Sequence, residues 1–372
     1  MKIDSLKYNG KSIRKIYQGD ELVKKMNYGQ SSDVFQYIKN DGDTPTPPTP
    51  VPYDEQYLTI ESTSDNNTIS LVASRTYITK TVSASTDNGN TWTEYTSSTG
   101  GTQIASLNTG DKVLVKGGNS AYALDLDIAP SFWNMYNYFT SSGQFNAYGN
   151  IMSLISGDSF VNADTLTANY TFGGLFSGCT GLTSAENLIL PATTLEESCY
   201  QSMFQGCTSL ATAPSVLPAT TLALAFNCYE SMFKDCTSLT TAPQLPATTL
   251  TNACYESMFA YCSNLTVAPE LPATTMRGYY CYRYMFQGCT NLTTAPELPA
   301  TTLTPSCYES MFQACESLNY IKCLATDISA SNCTVNWVLN VPSTGTFVKK
   351  ASMTRWTTGS NGIPEGWTVQ NG

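Results

Sequence analysis

Residues 245–270 read LPATTLTNACYESMFAYCSNLTVAPE, and this block decides the architecture. It returns with small changes at 190–216, 217–244, 271–297 and 298–323, so equivalent cysteines recur every 26 to 29 residues. The longer spacings come from an extra Val216, two extra residues before Cys228 and one before Cys281. A degenerate unit at 171–190 precedes the five, with Phe176-Ser177-Gly178-Cys179. Another follows, in which Cys333 and Trp337 take the places of the first Cys and the Met. Self-similarity at such a period marks a solenoid, where no unit buries its own apolar face and the stack is the core.

Within a unit, Leu239, Ala242 and Leu245 form an LxxAxxL run that predicts a short inward-facing strand. Pro243 and Pro246 deny that stretch a helix. Cys254, Met258, Phe259 and Cys262 stand at i, i+4, i+5 and i+8, which predicts one face of a short helix. The expected fold class is therefore a mixed α/β repeat, a leucine-rich-repeat solenoid of short strands and short helices. Neighbouring strands should lie ~4.8 Å apart. The 13 cysteines are odd in number, all lie after residue 178, and pair up eight apart in each full unit, as in Cys254/Cys262. Eight helical residues span about 12 Å, too far for a disulfide within a pair. No CxxC occurs to suggest zinc. The thiols read as small buried hydrophobes stacking between repeats.

Working outward, 53–128 alternates as strands do (57–61, 68–73, 81–85, 112–116) between turns rich in Asn, Gly and Ser, which predicts a small antiparallel β-sandwich. Residues 41–52, with five prolines in 45–52, form a semi-rigid Pro/Thr linker. Residues 1–40, with Asn9-Gly10 and Gly19-Asp20 turns, predict a small β-hairpin head. The solenoid with its N-terminal cap is expected over 129–339, and a C-terminal cap over 340–372.

The chain of 372 residues has a formal charge of −10, only 13% charged residues and no histidine. Histidine-dependent catalysis, metal binding and pH switching are excluded. The acidity argues against nucleic acid. The charge is split, with eight Lys/Arg and four Asp/Glu in 1–40 against eleven and 25 in the rest. A basic head on an acidic body suggests two different jobs. No apolar run reaches the ~18 residues of a membrane span, and the N-terminus lacks the apolar region of a secretory signal.

The unit LPATTLxxxCYxSMFxxCxSLxxAPxLP closely resembles the BspA-like leucine-rich repeats of gut bacteria and their phages. The flanking segments 149–154 (GNIMSL) and 362–367 (GIPEGW) resemble those seen beside such repeats, so the resemblance covers roughly 130–372. Residues 12–23, SIRKIYQGDELV, resemble an N-terminal motif of phage structural proteins. That likeness implies attachment to a virion through Ile13, Arg14, Ile16, Tyr17, Leu22 and Val23.

Candidate chemistry is sparse. Residues 85–92, STDNGNTW, match the Asp-box pattern of sialidase-like proteins, where it is a structural hairpin whose Asp binds turn backbone. Here the single copy is read the same way, without glycosidase activity. Gln244, Glu270 and Glu297 recur at one position in successive units and form either a solvated face or a weak cation site. The fourth unit breaks rank with Arg277, Tyr279, Tyr280, Arg283 and Tyr284, and Tyr261 departs likewise in the third. Tyr and Arg are the residue types of binding hot spots, and the competing reading is that the rings fill a gap made by the insertion.

The sequence therefore suggests a non-enzymatic phage fibre or decoration protein with no cofactor and no metal. Its partners would be other virion proteins through 1–40 and a host surface protein or glycan through the repeats. Neither nucleic acid nor membrane insertion is expected, and the sequence leaves homo-oligomerisation open. A bacterial surface adhesin and a glycan-degrading fibre are the alternative readings.

Overall fold

The computed structural model describes residues 51–123 and 135–372 in full, and within 1–50 the backbone of five strands. In the head, Ile3–Tyr8 pairs antiparallel with Lys11–Gln18, with Ile3 opposite Ile16 and Tyr8 opposite Lys11. Glu21–Leu22 continues this sheet, and Met26–Tyr28 pairs with Phe35–Tyr37 in a separate ribbon. Most of the 41–52 linker lies outside the described residues.

The β-sandwich has two sheets. In one, Asn67–Ala73 is flanked antiparallel by Thr102–Leu107 and Asn137–Ser141. In the other, Phe145–Asn150, Leu58–Ser62, Lys112–Gly117, Thr81–Ser85 and Thr93–Thr96 follow in spatial order. The alternating residues Asn67, Ile69, Leu71 and Ala73 are buried, as period-two patterning requires. Both sheets draw a strand from beyond residue 128. Phe145–Asn150 also carries the joint to the repeats, because its other edge pairs parallel with Leu182–Ser184 and Leu188–Ile189. The 149–154 segment locks this joint: Ser153 Oγ donates to the Val115 carbonyl (2.9 Å) and accepts the Leu58 N–H (3.0 Å). One continuous apolar core runs from Leu58 to Trp367.

From residue 171 the chain forms a β-solenoid of about five turns with very little helix. The short helix expected over 254–262, and with it the mixed α/β class, is corrected. Three residues per coil, four apart, have left-handed backbones: Ser198, Ser202 and Gly206; Asn227, Ser231 and Asp235; Ala253, Ser257 and Tyr261; and so on to Asn332, Asn336 and Asn340. A right-handed helix cannot pass through such positions. The backbone forms a ladder of tight turns instead. The N–H groups of Gln201, Met203, Gln205 and Cys207 close i to i−3 turns at 3.1–3.2 Å. Those of Ser198, Tyr200, Ser202, Phe204 and Gly206 cross to the carbonyls of Phe226, Cys228, Glu230, Met232 and Lys234 at 2.8–2.9 Å. Every second amide thus serves its own coil and every other one the next coil, which leaves few buried donors unpaired.

The ladder repeats every four residues, so pairs of side chains turn inward: Cys199, Tyr200, Met203, Phe204 and Cys207 are all essentially buried. Stacked in register they form aromatic columns. Phe176, Phe204, Phe233, Phe259, Phe286 and Phe312 follow one another at 5.2–5.8 Å with ring planes within 10°. Tyr200, Tyr229, Tyr255, Tyr282 and Tyr308 run beside them. The rest of each coil is an extended leg joined to its neighbours by parallel bridges such as Thr212 to Thr241 to Val267 and Thr221 to Thr249 to Thr275. Leu239 and Leu245 point inward there and Ala242 packs at the core's edge.

All 13 cysteines are buried and free. In five coils the second cysteine donates its S–H to the carbonyl of the preceding coil's phenylalanine, from Cys207 to Phe176 (3.0 Å) through Cys315 to Phe286 (3.1 Å). A thiol suits this place because it packs as an apolar group and still offers a weak donor. At the far end Trp337 seals both columns, and Tyr320–Cys323, Thr346–Lys349 and Thr368–Asn371 close the stack as a parallel sheet.

Candidate binding surface

The left-handed positions align from coil to coil into three columns, in which the small residues are largely buried and the tyrosines reach the surface. The first holds Ser198, Asn227, Ala253, Tyr280 and Ser306; the second Ser202, Ser231, Ser257, Tyr284 and Ser310; the third Gly206, Asp235, Tyr261, Gly288 and Ala314. Small or amide-bearing residues are the ordinary occupants of this conformation, and a bulky one is an outlier. The bulky exceptions are Tyr170, at the head of the first column, and Tyr261, Tyr280 and Tyr284, at φ 56°, 63°, 62° and 58°. The last three are the tyrosines that mark the third and fourth units in the sequence. Strained positions of this kind cluster where a protein binds something.

Arg283 organises the patch. Its guanidinium lies 4.2 Å from the Tyr280 ring centroid and 4.9 Å from that of Tyr284. Nε and Nη2 both donate to Glu256 Oε1 of the preceding coil, at 2.9 and 2.5 Å. Tyr279 and Tyr280 have ring centroids 6.4 Å apart. Tyr261 sits one coil earlier, with its ring against Gly288, where any Cβ would meet Tyr261 Cδ1 at 2.6 Å. The structure thus brings Tyr279, Tyr280, Arg283 and Tyr284 together and places Tyr261 alongside. Arg277 is exposed at the end of strand Thr275–Met276, with its N–H on the Leu250 carbonyl.

Gln244, Glu270 and Glu297 stand exposed on the extended leg, apart from the tyrosine cluster, and Glu297 pairs with Lys322 at 2.8 Å. Among the described residues no group of three or more His, Cys, Asp or Glu is placed to hold a metal ion. In the head, Ile13, Arg14, Ile16 and Tyr17 belong to strand Lys11–Gln18 and Leu22 to Glu21–Leu22, while Val23 lies outside the described residues. The Asp-box segment is a hairpin turn. Asp87 accepts from the Thr91 N–H (2.9 Å), Thr91 Oγ1 (2.6 Å) and Ser85 Oγ (2.7 Å), which hold its carboxyl down at about 2.

Arg283 belongs to a column of acidic and amide groups, Gln201, Glu230, Glu256, Arg283 and Glu309. Glu230 accepts from Gln201 Nε2 at 2.9 Å, yet burial, and then the charge of Glu256, push its carboxyl up to about 7. A carboxyl raised on folding stabilises the fold while protonated. That contribution is complete below its ordinary value of 4.5 and is lost as pH rises towards 7. Glu230→Gln is therefore expected to raise the thermal midpoint at pH 8 and leave it unchanged at pH 4. Equal shifts at both values would show that Glu230 is not titrating in the fold.

One feature of this corner was hidden in the unit lengths. The insertions before Cys228 and Cys281 both fall just ahead of the turn ladder, so the second and fourth coils carry extra residues there while the third does not. Ser198, Asn227 and Ala253 donate to the carbonyls of Phe226, Asn252 and Tyr279, which makes these three successive members of one column. Leu224 is 86% exposed, Tyr279 54% and Phe226 40%. Asn252 lies between the two aromatics, and its Oδ1 accepts the Tyr279 N–H at 2.9 Å. Gly278 permits this approach, since a Cβ there would stand 2.2 Å from Asn252 Oδ1 and 2.3 Å from its backbone nitrogen.

Compared with models of protein families, with curated proteins and with solved structures, the chain matches none. Among the described residues no helix is long and apolar enough to cross a membrane.

Proposed function

We propose that the chain is a non-enzymatic virion appendage of a phage, anchored by residues 1–40 and presenting a BspA-like leucine-rich-repeat domain that binds a host surface protein or glycan. The observation that carries the binding role is the Tyr279–Tyr280–Arg283–Tyr284 cluster. It places three rings on a wall whose other coils carry mainly small residues, and the buried columns beneath hold that wall rigid. A preorganised surface loses little freedom on binding. The virion role rests on the likeness of residues 12–23 to phage structural proteins, supported by the basic head and the proline-rich spacer.

Immuno-electron microscopy with an antibody to 135–372 tests the location. Label at fixed points on purified particles is the expected result. Label on intact uninfected bacteria, and none on particles, would replace the appendage by a cell-surface adhesin. The triple variant Tyr279→Ser, Tyr280→Ser, Tyr284→Ser is expected to lose at least about tenfold in host-cell binding, since hot-spot rings each contribute about 1–2 kcal/mol or more. Its melting midpoint should hold, because Ser is what sibling coils carry at the last two positions' columns. A collapsed midpoint would mean that the rings serve packing.

A further inference from the structure

We infer that the corner formed by the second, third and fourth coils is a sugar-binding cleft for a carboxylate-bearing pyranose, a sialic or a uronic acid. The inference rests on the proposed binding role and names its ligand class. The walls are Phe226 with Leu224 on one side and Tyr279 on the other, and Asn252 is the floor. Two coil spacings separate the walls, roughly 10 Å at ~4.8 Å per parallel neighbour. That leaves room for one pyranose ring between two aromatic side chains. The floor is polar and oriented: Asn252 Oδ1 is engaged by Tyr279 N–H, which leaves its Nδ2 hydrogens to donate to a hydroxyl.

Charge selects the acid. Residues 171–339 contain four cations, Lys234, Arg277, Arg283 and Lys322. Arg283 and Lys322 are paired with glutamates of the preceding coil. Neither Lys234 nor Arg277 has an ion pair among the described residues, and of the two Arg277 is the exposed one and stands two residues from Tyr279. In a chain of net charge −10, an uncommitted guanidinium at the lip of an aromatic cleft fits a carboxylate, which it can take bidentately.

The test is calorimetric titration of the full chain with sialyllactose, with a galacturonate trisaccharide, and with neutral lactose and cellotriose. One acidic sugar is expected to bind at least tenfold more tightly than either neutral one, and the arm that responds identifies the acid. Arg277→Gln should abolish that preference and Arg277→Lys restore part of it. Phe226→Ser should weaken binding at least tenfold, with an unchanged melting midpoint. Equal binding of acidic and neutral sugars, no binding of either acid, or an Arg277→Gln variant that keeps the preference would each overturn the cleft. Binding of an acid without particle label supports the cleft and removes the appendage. Particle label without binding of either acid overturns the cleft alone.

Discussion

Replacing Trp337 by alanine is expected to destabilise the protein by about 3–5 kcal/mol, the cost of emptying a large aromatic site in a packed core. Trp337 is fully buried and ends both aromatic columns, with ring centroids 6.2 Å from Tyr308 and 6.3 Å from Phe312. It also stacks on Trp356 at 5.4 Å, meets Phe347 at 6.0 Å and donates Nε1–H to the Gly362 carbonyl at 2.7 Å. Its loss therefore opens a cavity, leaves a buried carbonyl unpaired and loosens the terminal sheet at once. In a stack where each coil touches only its neighbours, such damage spreads from the end. Hydrogen exchange should show amides of 298–349 losing protection first, with the sandwich unaffected. Uniform loss of protection along the chain would mean that the solenoid and sandwich unfold as one unit, against the end-fraying account.

At Ser231 the order of three substitutions should be the reverse of what a helix gives. In a helix Ala is the best residue and Gly costs ~1 kcal/mol relative to it. Ser231 sits at φ 55° with its N–H on the Glu256 carbonyl at 2.8 Å. At that backbone angle any Cβ crowds the following carbonyl, at about 1–2 kcal/mol. Ser231→Gly is therefore expected to be neutral or stabilising, Ser231→Ala slightly destabilising, and Ser231→Val worst, at about 2 kcal/mol or more. Chemical denaturation of the three variants reads this directly. A ranking with Ala most stable and Gly least would restore the helix and sink the turn ladder.

The same residues explain why the helix was expected. Cys254, Met258, Phe259 and Cys262 fit a helical face as four isolated positions, because 3.6 and 4 diverge little over nine residues. The distinguishing signal was in the residues between the inward pairs. Asn332, Asn336 and Asn340, or Ser198, Ser202 and Gly206, recur at four-residue intervals in the types that tolerate a left-handed backbone. Period alone did not separate a helix from a chain of turns, whereas those residue types, read together, do. The binding patch was half legible in the same way. The Tyr and Arg substitutions in the fourth unit announce themselves against the repeat. Phe226 and Asn252 do not, since they lie 53 and 27 residues before Tyr279 and share its column only through the stacking of coils.

By itself the sequence determined that this chain is a stack: five near-identical units, each with its apolar residues in register, have nowhere to bury those residues except against one another. It also determined that the cysteines are core residues, since their recurrence places them in the same inward column as Met and Phe. Only the tertiary structure decided how each coil is wound. The choice between helix and turn ladder depends on where every second amide finds its acceptor, and that acceptor belongs to the next coil. The pairing of Arg283 with Glu256, and the placing of Phe226, Asn252 and Tyr279 in one column, were settled there for the same reason: both depend on the inter-coil register.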